Sequence, residues 1–240
     1  MMGYIKKEKR KTCLLLGFIG MFLCGIGDIL FAFRGDGEPY AAYGMIGMDI
    51  PSVPLWCYQL SFFIGIVATI GYWFGAKSVY SYVLDRLDGK SSNLLRTYGI
   101  GATMMSLGIF GIHSVCSMAI MCLRAAAEAG LSAEAINSFF TVPVLIPFVV
   151  TTLWQTVADL LVAIAYIGLI RQKILNLSKM WIACGPICLY LIFGILRTIL
   201  TQATGNPLFG KLLAGGETWG LAFLFLSVFC CVKRQDAMHL

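Results

Sequence analysis

Charge is scarce in this chain: Asp, Glu, Lys and Arg make up 12% of its 240 residues, against about 25% in a soluble globular domain. Histidine is scarcer still, with His113 and His239 the only two. No glycine-rich phosphate loop and no nucleophile elbow occurs, so nothing announces a nucleotide hydrolase or an α/β-hydrolase. Short segments of alternating polarity are missing too, and with them the signature of an outer-membrane β-barrel. A single mid-chain histidine is too few for the usual zinc ligand sets. Neither a metal nor any other cofactor is expected.

What is present is apolar. Hydrophobic residues reach 59%, with a mean hydropathy of +0.82. A bilayer crossing takes about 20 apolar residues, and reading runs of that length between polar breaks gives six helices. They cover approximately residues 12–33, 56–82, 98–123, 144–170, 180–201 and 216–233. The expected fold is all-α, one integral membrane six-helix bundle spanning 1–240 with both termini cytoplasmic. Pro143 and Pro147 suit the opening turn of the fourth helix better than its interior. The basic start, Lys6 to Lys11, followed by 13–33 imitates a signal peptide. The apolar stretch is long, however, and no small-residue cleavage site follows, which favours an uncleaved first span. Nearly all nine cysteines fall inside apolar runs, where free thiols pack as small hydrophobic side chains.

Orientation follows from the basic residues. With the N-terminus cytoplasmic, fourteen Lys and Arg face inward and four (Arg34, Arg124, Arg197 and Lys211) face outward, the bias of the positive-inside rule. The net charge of +6 then faces anionic inner-leaflet lipid, and no nucleic-acid partner is expected. Trp56 and Trp219 at outer helix ends, with Trp73 and Trp181 at inner ones, fit an aromatic belt. Gly71 and Gly75 form a GxxxG, and Gly108 with Gly111 gives the third span another small face; such faces let helices approach closely. A homo-oligomer is compatible with these faces. The outer connection 34–55, rich in Gly and Pro, is expected to be non-helical. Its Tyr40, Tyr43, Met45, Ile46 and Met48 suggest packing onto the bundle.

Ionisable side chains inside a span are costly and turn towards the bundle interior or a water-filled cavity. Asp28 lies in the outer half of the first helix and Arg197 at similar depth in the fifth. His113 is near the middle of the third, and Asp159 near the middle of the fourth with Gln155 four positions before it on the same face. Glu217 opens the sixth. Depth suggests the pairs Asp28 with Arg197, and His113 with Asp159 or Gln155. Together Asp28, His113, Gln155, Asp159, Arg197 and Glu217 form a candidate ligand-binding set lining an outward-facing polar pocket, with His113, Asp159 and Asp28 the candidate catalytic groups. The alternative is that they are interhelical hydrogen bonds that fix the bundle.

Gly25-Ile26-Gly27-Asp28 resembles the Gly-x-Gly-Asp signature of the presenilin and prepilin peptidases, whose two carboxylates share a proton. Here the motif sits in the first span with no aspartate before it, the Pro-Ala-Leu stretch is missing, and Asp28 is shallower than Asp159. Proteolysis is therefore disfavoured. An echo between Gly27–Phe33 and Ala158–Ile164 keeps inverted three-helix halves, and hence a transporter, in view. Gly25 to Asp28 together with Asp49-Ile50-Pro51, Trp56, a mid-span His113 and Glu217-Thr218-Trp219-Gly220 resembles an uncharacterised family of bacterial multi-pass membrane proteins, a domain of unknown function. That resemblance implies a bacterial inner-membrane protein and supplies no activity. Three functions stay open. One is a binding protein for a small molecule or a membrane-lipid headgroup. The others are an intramembrane lipid-modifying enzyme using His113 and a carboxylate as acid and base, and a small oligomeric transporter.

Overall fold

Among the described residues six helices are long and apolar enough to cross a bilayer, in the order the hydropathy predicts. The computed structural model describes residues 2–35, 37–40, 46–140 and 145–237. Helix α1 is Lys7–Phe31, and after a 3₁₀ turn at Ile50–Ser52 helix α2 runs over Leu55–Arg86. Helix α3, Asn93–Phe110, continues through a π-helical turn at Gly111–Cys116 into α4, Ser117–Glu128; these three pieces form the third span. A short helix α5, Ala133–Phe140, precedes α6, Ile146–Arg171. Then come the single turn α7, Met180–Ala183, the fifth span α8, Pro186–Thr204, the short α9, Leu208–Leu212, and α10, Gly216–Ala237.

Several bounds differ from expectation for local reasons. The third span is longer at both ends, and Ser92 caps it by accepting a hydrogen bond from the Leu95 amide at 3.1 Å. The fifth span starts at Pro186 rather than 180 because proline fits the first helical position and not the interior, which detaches the Trp181 turn. The expected start of the fourth span at 144 lies outside the described residues. Helix α5 was not anticipated.

The spans close a ring in sequence order: α1 against α2, α2 against α3, α3 against α6, α6 lightly against α8, α8 against α10, and α10 back against α1. Lys7, Arg10, Tyr82, Asp85, Val232 and Gln235 line one crevice, so the start of α1 and the ends of α2 and α10 share one end of the bundle. We call this the termini end, and the opposite one the distal end. Inside the ring Tyr72, Tyr98, Tyr166, Phe225, Leu14 and Met105 are fully buried. Helix α8 stands apart from this pattern. None of its most apolar window is buried, against 39–50% for the other five spans.

Helix contact in lipid relies on small residues that let backbones approach, and α1 and α2 show why. A Cβ at Gly75 would stand 2.8 Å from the Cα of Gly17 and 3.0 Å from the Phe225 ring; one at Gly71 would stand 2.7 Å from the Leu16 carbonyl. The Gly71–Gly75 pair therefore serves contacts within this chain.

At the termini end, Arg10 is only 3% exposed. Its guanidinium meets Asp85 at 2.8 Å and the Tyr4 hydroxyl at 2.8 Å, and its Nε donates to the Ile5 carbonyl. The Tyr4 hydroxyl in turn donates to Asp85, and the Ile5 amide to Ser81 Oγ. One basic residue of the N-terminal run is thus an interior clamp. At the distal end the loop after α1 packs onto the bundle. Tyr40, Ile46, Ile50 and Val53 join Phe31, Tyr58, Cys116 and Ile120 in a second core. The Gly37 amide donates to Asp49 Oδ1 at 2.7 Å, the Tyr58 hydroxyl to the Phe33 carbonyl and Arg124 to the Val53 carbonyl. Met48 points outward instead, 42% exposed, while Tyr43 and Met45 lie outside the described residues.

Two variants test this packing by thermal unfolding in detergent. Asp85→Ala strands a buried guanidinium and is expected to cost about 3 kcal/mol. Gly75→Leu forces α1 away from α2 and is expected to cost about 1–3 kcal/mol. Unchanged melting for either would show that the corresponding contact does not hold the bundle.

Candidate functional site

The π-helical turn at Gly111–Cys116 adds a residue to the helical repeat, an irregularity that recurs at functional sites. It carries His113, which is 2% exposed. Gly65 of α2 faces it so closely that a Cβ there would overlap the His113 Cβ, and a Cβ at Gly27 of α1 would come within 3.1 Å of the ring Cε1. Both glycines are room for the imidazole.

Three polar groups meet at that ring, and a fourth stands behind one of them. Ser61 Oγ of α2 lies 3.0 Å from Nδ1. Cys24 Sγ lies 3.1 Å from Nε2, and Asp28 Oδ1 lies 3.3 Å from the same Nε2. Cys24 and Asp28 are four residues apart on α1, so both project from one face. The second carboxylate oxygen of Asp28 accepts a hydrogen bond from the Thr218 hydroxyl of α10. Spans one, two, three and six are thereby tied at one point. The Nδ1–H tautomer donates to Ser61 and leaves the Nε2 lone pair towards Cys24 and Asp28; the other tautomer offers one N–H to both. Cys24 Sγ, Asp28 and His113 keep their ligand-type atoms within 4.8 Å of one another.

This geometry corrects the pairings expected from depth. Asp28 is bonded to His113 and Thr218, and not to Arg197. His113 is bonded to Cys24, Asp28 and Ser61, and not to Asp159 or Gln155. Depth along the bilayer says nothing of position around the ring, and Arg197 belongs to the exposed α8.

Five of the six predicted residues line two adjacent cavities. A distal cavity of about 470 Å³ is lined by Asp28, Arg34, Arg197, Lys211 and Glu217, with Phe31, Ile112 and Phe148 as its apolar wall. A second, of about 310 Å³, is lined by Gln155, Asp159 and Glu217 with Ile187, Tyr190 and Leu191 of α8. Ile112, Thr152 and Glu217 border both. His113 lines neither and stands behind Asp28. Gln155 donates to Met105 Sδ at 2.8 Å. Its Oε1 and Asp159 Oδ1 are buried acceptors without a hydrogen-bond partner among the described residues. Such groups ordinarily carry a desolvation cost of about 1–3 kcal/mol.

The sequence profile of a family of unknown function (DUF6796) matches residues 4–235. The chain belongs to this family. No curated protein and no solved structure matches it. In this DUF6796 member three residues of the site are not distinguished by the sequence as polar partners of His113 or Asp28. Cys24 passed as apolar filling, although its spacing of four from Asp28 was visible. Ser61 carries no signal and Thr218 enters only within the Glu217-Thr218-Trp219-Gly220 stretch, with no role of its own, because small hydroxyls are common in membrane helices and only tertiary contact distinguishes these two.

The orphaned acceptor of Asp159 gives a stability prediction. Asp159→Leu removes a buried acid with an unmet hydrogen bond, and is expected to stabilise the detergent-solubilised protein by about 1–3 kcal/mol. A lower melting temperature would show that Asp159 has a partner holding it in place.

Proposed function

We propose that this is a multi-pass protein of the bacterial cytoplasmic membrane, with both termini inside. In this reading it holds a small amphipathic molecule with an anionic head in the cavity at its distal, outward end. The orientation rests on the basic residues, fourteen of which fall at the termini side of the spans. The pocket reading rests on one observation above all. Two adjoining cavities run from a rim bearing Arg34, Arg197 and Lys211, past Glu217, to the unmet acceptors beside Asp159. Their sizes lie in or near the usual range for small-molecule sites, about 300–1,000 Å³.

The chemistry of the walls describes the occupant. Guanidinium and ammonium groups at the rim pair with phosphate or carboxylate, and Arg does so in a bidentate fork. Phe31, Ile112 and Phe148 offer apolar contact, and Ile187, Tyr190 and Leu191 of the lipid-exposed α8 leave a side through which an acyl chain can pass. Deeper in, Asp159 and Gln155 ask for an O–H or N–H donor. A lipid headgroup bearing hydroxyls satisfies the whole set. Acid–base catalysis by His113 is less well supported, because the imidazole is walled off behind Asp28.

Native mass spectrometry of the protein released from mild detergent tests this directly. Wild type is expected to retain one adduct of defined mass, and Arg197→Gln to lose most of it. Added phosphatidylglycerol at about 100 times its dissociation constant should raise stability by about 2.7 kcal/mol, while phosphatidylcholine should not. An adduct of lower mass than any membrane lipid would move the ligand to a soluble anion. Bare protein from several detergents, with no response to either lipid, would sink the proposal.

A further inference from the structure

We propose that Cys24, Asp28 and His113 form a site for a divalent transition metal, with zinc the best match. Its starting point is the crowding on Nε2. Cys24 Sγ at 3.1 Å and Asp28 Oδ1 at 3.3 Å converge on that one nitrogen, where one N–H or one lone pair has to serve both. A cation among the three serves all of them. With Zn–S of about 2.3 Å and Zn–N or Zn–O of about 2.0–2.1 Å, a tetrahedron has edges of about 3.3–3.6 Å between ligand atoms. The observed separations are close to those edges, and all three ligand atoms lie within 4.8 Å of each other.

The surroundings are those of a metal ligand set. A ligating histidine usually has its other nitrogen held by a hydrogen bond, which fixes the tautomer, and Ser61 Oγ lies 3.0 Å from Nδ1. A ligating carboxylate is usually bonded through its second oxygen, and Thr218 donates to Asp28 Oδ2. Two ligands spaced four apart on one helix face reproduce the spacing of helical zinc motifs. Thiolate with imidazole and carboxylate selects zinc over magnesium or calcium, which prefer all-oxygen sets. Three protein ligands leave a fourth position open, as in catalytic rather than structural zinc sites. Asp28 also lines the distal cavity, which gives the ion a way in. This inference does not depend on the cavity holding an amphipathic anion, and its test reads metal alone.

The test uses full-length protein purified without a polyhistidine tag. Elemental analysis is expected to find zinc at one equivalent per chain. Replacement by cobalt(II) is expected to give a tetrahedral visible spectrum with a thiolate-to-cobalt charge-transfer band in the near ultraviolet. Cys24→Ser and His113→Ala should both lose that band, whereas Cys188→Ser should keep it. Ser61→Ala leaves all three ligands in place and should weaken the apparent affinity about 10–100-fold, with an unchanged elution profile as the check on folding. Wild type that takes up neither zinc nor cobalt overturns the proposal. So does bound cobalt with no thiolate band, or one that disappears with Cys188→Ser instead.

Discussion

Everything in this bundle turns on the contact between His113 and the groups that meet it. Hydrocarbon offers no water to a stranded polar atom, so polar side chains in a span turn to one another or to a cavity. The His113 ring meets that demand for three helices at once: Cys24 and Asp28 from the first span and Ser61 from the second, around an imidazole carried by the third. Thr218 adds the sixth through Asp28. Individual interhelical hydrogen bonds in membranes average only about 0.6 kcal/mol. The consequence here is geometric rather than energetic, because four helices acquire one shared register.

The rest of the architecture accommodates that point. The π-helical turn aims the ring, Gly65 and Gly27 leave it space, and Gly215 lies against the Asp28 carboxylate with a positive φ of 76°. Closer to the termini end the glycines of α1 and α2 bring their backbones together, and the Arg10–Asp85 clamp fixes the first helix where it begins. The fifth span is outside this scheme. It leans on α10 without burying its own apolar window, and it forms one wall of both polar cavities. A loosely packed helix beside the cavities is where an occupant could enter with little disturbance to the core.

The spans were legible because twenty apolar residues in a row permit little else, and the GxxxG face was legible because small residues at that spacing have a mechanical use. That Asp28 is an interior polar contact also followed from the cost of a carboxylate in lipid. Its partner did not follow. Arg197 matches it in depth, but α2, α3 and α10 supply the groups that meet at Asp28 and His113, while Arg197, on the exposed α8, stays across the distal cavity that it shares with Asp28. Hydropathy also treats Cys24 as one more apolar residue, so the half of the cluster that is chemically most distinctive left no mark in composition. The break at Gly185-Pro186 was readable from proline alone, yet the apolar run across it masked the change.

The surroundings of His113 are directly measurable. With His239→Gln the chain has one imidazole left, and selective ¹⁵N labelling gives nitrogen signals from His113 alone. The ring N–H is expected to be protected from exchange with water, to be unaffected by a water-soluble paramagnetic agent, and to show through-space contacts to Ser61, Gly65 and Gly27. A ring that exchanges freely and is relaxed by the agent would place His113 outside the bundle, and the four-helix junction with it.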